Sequence, residues 1–94
     1  MLIERFRHKG LRRLYDDDDP SGLPAESVGK IKAILAALEF AADLPQVTTM
    51  PGWRLHPLKG DRRGQYAITV TRNRRITFRL RGSTVTDVDF EDYH

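Results

Sequence analysis

Three runs decide the architecture: Gln65-Tyr66-Ala67-Ile68-Thr69-Val70, then Arg75-Ile76-Thr77-Phe78-Arg79-Leu80-Arg81, then Val85-Thr86-Asp87-Val88-Asp89-Phe90-Glu91. Tyr66, Ile68 and Val70 alternate with Gln65, Ala67 and Thr69. Ile76, Phe78 and Leu80 alternate with arginines and a threonine, and Thr86, Val88 and Phe90 with Val85 and three acids. A period of two sends successive side chains to opposite faces, so each run predicts a half-buried strand. The short connections Arg72-Asn73-Arg74 and Gly82-Ser83-Thr84 predict an antiparallel meander. In its last hairpin, pairing Phe78 with Val88 and Ile76 with Phe90 sets apolar beside apolar. The same register puts Arg79 opposite Asp87 and Arg75 opposite Glu91 on the other face. A slip of one residue would set Phe78 against Asp87, which burial forbids. This register also carries Asp92, Tyr93 and His94 past Arg74, Asn73 and Arg72.

Upstream, the pattern is helical. A first helix is expected over Lys9 to Tyr15, with Leu11, Leu14 and Tyr15 turned inward. Asp16-Asp17-Asp18-Asp19-Pro20 ends it, because four carboxylates oppose the negative end of the helix dipole and proline cannot continue the ladder. That acidic run reads as a solvated loop. A second helix opens near Pro24 and Glu26. Val28, Ile31, Leu35, Leu38 and Ala42 give it one apolar stripe, and Asp43-Leu44-Pro45 closes it. Residues 2–7 suggest a short strand, with His8 at its end. Trp53 and Tyr66 are expected to pack. The expected fold is one α+β domain spanning residues 1–94, with two helices packed on a small antiparallel sheet.

Charge is unevenly spread. Residues 52–82 hold nine Lys and Arg against the single acid Asp61, whereas residues 1–51 hold seven basic and eight acidic side chains. Residues 83–94 hold Asp87, Asp89, Glu91 and Asp92 and no Lys or Arg. Positive charge gathered in the C-terminal half suits a polyanion partner. The chain has no cysteine, which excludes disulfides and thiolate metal sites and suggests a reducing, cytoplasmic setting. No apolar run approaches the ~20 residues that span a bilayer, and the N-terminal residues lack the apolar core of a signal peptide.

Two polar clusters hold the candidate chemistry: Leu55-His56-Pro57-Leu58-Lys59-Gly60-Asp61-Arg62 and Phe90-Glu91-Asp92-Tyr93-His94. Cleaving RNA needs a base for the 2′-hydroxyl, cations for the phosphorane and an acid for the leaving 5′-oxygen. His56 and His94 are imidazoles, the side-chain type suited to taking and giving protons near neutral pH. Lys59, Arg62 and Arg75 are candidate phosphate clamps, and Arg62 with Arg63, Arg72 and Arg74 supplies the expected RNA-binding cations. Tyr93 offers a ring for an unpaired base or a hydroxyl for a phosphate, and Asp92 a carboxylate to orient a histidine or carry a proton. Arg79 is expected to do no more than neutralise Asp87. No His/Asp cluster has metal-ligand spacing, so neither metal nor cofactor is expected.

Ile3-Glu4-Arg5-Phe6-Arg7-His8-Lys9-Gly10-Leu11, Leu55 to Arg62, Arg75-Ile76-Thr77-Phe78 and the closing Glu91-Asp92-Tyr93-His94 resemble the HigB toxins of the RelE/ParE superfamily. The resemblance spans nearly the whole chain, in order. It implies a small curved antiparallel sheet with two helices packed on one face. It implies endonucleolytic cleavage of mRNA in the translating 70S ribosome, with the catalytic pattern on His56, Lys59, Arg75, Asp92, Tyr93 and His94. The implied neutraliser is a helix-turn-helix, HigA-like antitoxin, and the pair would bind its own operator DNA. Many relatives carry an arginine where this chain has Thr69 and an aromatic where it has Arg74. Two other classes compete: a ParE-like poison of DNA gyrase acting by protein binding, and a non-enzymatic ribosome- or RNA-binding module. An acid–imidazole pair favours the nuclease, because electrostatic binding alone needs only Lys and Arg.

Overall fold

The computed structural model describes residues 1–92. Strands β1 (Leu2–Ile3), β2 (His56–Pro57), β3 (Gln65–Thr71), β4 (Arg74–Arg81) and β5 (Thr84–Asp92) form one sheet in the order β1-β5-β4-β3-β2. Helices α1 (Lys9–Asp17), α2 (Val28–Phe40) and the short α3 (Leu44–Val47) complete the α+β domain. The expected meander is present: β3, β4 and β5 are antiparallel neighbours. β1 departs from the all-antiparallel expectation, because Leu2 and Ile3 pair parallel with Thr84 and Val85.

The strand expected over residues 2–7 is regular only at Leu2–Ile3 and touches β5 again through Phe6, opposite Val88. Arg5 interrupts it with φ at 57°. Opposite this break, β5 has its own. Ile76 pairs with Phe90 and Arg75 with Glu91 as expected, but beyond Thr77–Asp89 the ladder resumes at Arg79–Thr86 and Leu80–Val85. Asp87 and Val88 therefore share the place opposite Phe78, a β-bulge with Asp87 at φ 53°. The bulge corrects the expected Arg79–Asp87 pairing, and the physical reason lies at Val85. Strict alternation would turn that isopropyl group outward and the Thr86 hydroxyl inward. The extra residue instead buries Val85 completely in the core beside Leu80. Arg79 still lies 3.9 Å from the Asp87 carboxylate. The Val88 N–H donates to the Arg5 carbonyl at 3.1 Å, so each irregular segment satisfies the other.

His8 is a helix cap, not the end of a strand: its Nδ1 accepts from the Leu11 N–H at 3.2 Å. α1 stops where Asp18 turns left-handed, and the Asp18 N–H donates to the Arg13 and Leu14 carbonyls. Gly10 and Gly22 allow α1 to lie close under the incoming chain, since a Cβ on Gly10 would stand 2.5 Å from the Gly22 carbonyl oxygen. α2 buries Ile31, Leu35 and Leu38 as expected, with Ile34 added. Ala42 is exposed, because the helix ends at Phe40 and Ala41 takes the inward place. Pro45 does not merely stop α2. Proline fits a first helical turn, where its missing N–H costs nothing, and it opens α3, which buries Val47.

The core lies between the helices and one sheet face. Leu11, Leu14, Ile31, Ile34 and Leu38 meet Ile68, Ile76, Phe78, Val85 and Val88, with Trp53 closing one side. Each fully buried side chain of this size contributes about 1.5–3 kcal/mol relative to exposure. Tyr66 stacks on Phe78 at 5.7 Å, the packing role expected of it. The other sheet face is left to the functional residues.

Candidate active site

Residues paired across an antiparallel sheet share a face. His56 pairs with Ala67, Ala67 with Thr77 and Thr77 with Asp89, one row across four strands. The neighbouring row joins Thr69, Arg75 and Glu91. Both rows belong to the face turned away from the helices, because the alternate residues Tyr66, Ile68, Ile76 and Phe78 face the core. The floor of this open face is small: Ala67 and Thr77 are both buried. Arg62 explains their cover. It leaves the one-turn 3-10 segment Gly60–Arg62, donates from Nε to Gln65 Oε1 at 2.7 Å and reaches Glu91 with both terminal nitrogens, at 2.6 and 3.2 Å. Gln65 is on β3 and Glu91 on β5, so the side chain crosses β4.

Glu91 is the hub of this face. Arg75 donates to the same carboxylate oxygen from Nε at 2.9 Å, and its Nη2 lies 2.9 Å from that oxygen. Burial pushes the Glu91 carboxyl up, but the hydrogen bonds and charges of Arg62 and Arg75 together outweigh it and hold the group below its ordinary range. Two guanidiniums meeting at one anionic oxygen leave the cluster one positive charge in excess, suited to a phosphate.

His56 is exposed at the edge of this face, and its Nδ1 lies 2.7 Å from the Arg54 carbonyl. A carbonyl only accepts, so this bond puts the proton on Nδ1. The neutral ring then presents Nε2 as its basic nitrogen. Lys59 sits at the start of the 3-10 turn that ends in Arg62. Lys59, Arg63 and Arg72 are exposed and make no ion pair among the described residues.

The structure separates Asp92 from this group. It pairs with Arg74, as the register demanded, and its carboxylate lies 3.0 Å from Arg74 Nε. Arg74 stands over the Phe90 ring at 5.8 Å, and Phe90 packs against the core, so this pair occupies the helix-side edge. Arg75 and Glu91 point the opposite way. Tyr93 and His94 lie outside the described residues. His56, Arg62 and Arg75 thus lie on or beside one face, with Lys59 at the start of the adjoining 3-10 turn and Arg74 and Asp92 on the helix side of the sheet. Glu91 and Gln65 were not among the residues singled out from the sequence. The hairpin register signalled the Arg75–Glu91 contact, but nothing in the sequence spacing signals a bond between Arg62 and a residue 29 positions later.

A family model for the RelE-like toxin of the type II toxin–antitoxin system HigB matches residues 4–94. The chain is 40% identical to the endoribonuclease HigB of Proteus vulgaris over 93 residues, covering 99% of this chain and all of that protein. Among solved structures, it is similar to a YoeB/ParE toxin from Agrobacterium tumefaciens, with a TM-score of 0.63 over the whole of both chains at 17% identity. It is also similar to YafQ from E. coli strain BL21(DE3), with a TM-score of 0.56 at 12% identity over 96% of this chain and 90% of that one. At such identities these two likenesses speak for the fold alone.

Proposed function

Because the chain belongs to the HigB-like family of RelE-like toxins of type II toxin–antitoxin systems, we propose that it arrests growth as an endoribonuclease cutting mRNA on the 70S ribosome. The observation that carries the reading is the open face itself, where His56 Nε2, without a partner among the described residues, stands at the edge of a sheet whose Arg62–Glu91–Arg75 cluster keeps one positive charge in excess. Nε2 takes the proton of a 2′-hydroxyl, and the resulting oxyanion attacks the adjacent phosphorus. Arg75 and Lys59 stabilise the charge that develops on the non-bridging oxygens. The 5′-oxygen leaves with a proton supplied from the Asp92-Tyr93-His94 terminus, leaving a 2′,3′-cyclic phosphate and a 5′-hydroxyl. Arg63 and Arg72, both exposed, extend the positive surface along the RNA backbone, while Arg74 is engaged by Asp92 on the helix side.

Family membership implies an antitoxin. In our reading it is a HigA-like helix-turn-helix protein, and the complex binds its own operator. No helix of the described residues is long and apolar enough to cross a membrane, consistent with work on cytoplasmic ribosomes. Mapping mRNA ends by primer extension after induction tests the reading. Discrete new ends confined to translated messages are expected. Intact mRNA with DNA breaks would contradict it and favour a gyrase poison; intact mRNA and DNA would leave only a binding module.

A further inference from the structure

We propose that Glu91 is a positioning residue: through Arg62 it straps the segment carrying His56 and Lys59 across the open face, and it holds Arg75 in the same grip. The strap is a matter of geometry, but its catalytic consequence rests on the nuclease reading above. β2 consists of His56 and Pro57 alone; both are exposed, as is Lys59 beyond them, so only the half-buried Leu55 and Leu58 fix this edge by burial. Backbone bonds in the connection are few and local: Leu58 N–H to the Gln65 carbonyl at 2.8 Å, Arg62 N–H to the Lys59 carbonyl at 3.2 Å and Arg63 N–H to the Gly60 carbonyl at 3.1 Å. Segments held this way open at low free energy. The Arg62 side chain reaches beyond them, past β3 and β4 to β5.

An isolated surface ion pair would be a weak strap, worth about 0–1 kcal/mol. This one differs in three respects. Its two terminal nitrogens both contact the carboxylate, its Nε is anchored by Gln65, and its acceptor is half-buried and shared with Arg75. Removing the negative charge would also leave two guanidiniums side by side to repel each other. Because a misplacement of about 1 Å can cost about 100-fold in rate, loosening this loop should be felt at the base and not only in stability.

The experiment compares wild-type protein with Glu91→Gln, Arg62→Gln and the double variant. It reads amide hydrogen exchange at Leu58, Arg62 and Arg63 beside the kinetics of mRNA cleavage on programmed ribosomes. Each single variant should speed exchange at these amides about ten-fold or more. Each should lower kcat about ten-fold while KM stays within about two-fold. The double variant should lose no more than the worse single one, because both break one tie. Lys32→Ala, which removes the exposed Lys32–Asp18 pair on the helix side, should change neither readout. Unchanged exchange at these amides in a folded Glu91→Gln protein overturns the strap whatever the activity. So does an Arg62→Gln protein that raises KM alone, since Arg62 would then serve as a phosphate contact. If wild-type protein leaves ribosomal mRNA intact while Glu91→Gln still speeds exchange, the nuclease reading falls and the strap stands. Should Glu91→Gln fail to fold, Arg62→Gln asks the same question from the more exposed partner.

Discussion

Glu91 makes the chain's acid response specific. Its folded carboxyl is held below the ordinary value of 4.5, so the stabilisation it provides is fully present above that value and is lost as pH falls through the folded pKa. Urea midpoints measured between about pH 6 and pH 3 should therefore fall less steeply in Glu91→Gln than in the wild-type protein, with the difference confined to the region below about pH 4.5. A pH dependence identical in the two proteins would show that the carboxylate gains nothing from its arginines. At this scale the sequence was legible where a residue's chemistry announces itself. His56 and Arg75 were singled out by type, and the strand register sets them on one face, with Lys59 at the start of the adjoining 3-10 turn. It was illegible where partnership depends on reach: Arg62 read as a phosphate contact, yet in the structure it is engaged by Gln65 and Glu91. His8 was misread because its polar partner is a backbone amide, which no residue type reveals.

The expected helices and strands are present in type and in order, but the two-residue β2 and the four-residue α3 were not foreseen, and the departures have local causes. α2 follows from apolar spacing, but its stripe was drawn too narrow, since Ile34 is buried as deeply as Ile31. The two-residue β1 carries too little sequence to show alternation, so its parallel pairing left no trace. The β5 bulge trades one ladder position for the burial of Val85. Alternation alone concealed that exchange. Val85→Ala should accordingly destabilise by about 2–4 kcal/mol, as a core truncation does, while Thr86→Ala costs under about 1.5 kcal/mol. A loss in Thr86→Ala larger than that in Val85→Ala would place the strand in the unbulged register. The approach of α1 to Gly22 gives a second check. A Cβ at Gly10 would be forced to within 2.5 Å of a carbonyl oxygen, so Gly10→Ala should lose about 1–3 kcal/mol despite its better helix propensity. A gain in melting temperature would mean that the two segments do not touch.

Across the whole molecule the helices and the functional face are segregated. Helices cover one side of the sheet, while much of the basic charge of residues 52–82 is carried by β4 and the connection before β3. Ribosome affinity should therefore fall linearly on a log–log plot against salt, through release of counterions from the RNA backbone. Affinity indifferent to salt would point to a protein-dominated contact instead. The central claim is that this face cuts RNA by 2′-hydroxyl attack, with His56 as the base. Its most direct test is the chemistry of the new 3′ ends made on purified ribosomes programmed with one mRNA. Wild-type protein should leave 2′,3′-cyclic phosphates. His56→Ala, an exposed position whose loss leaves no cavity, should stay folded and cut about 100- to 10,000-fold more slowly. Wild-type ends bearing no cyclic phosphate, or a folded His56→Ala protein cutting at the wild-type rate, would contradict the account.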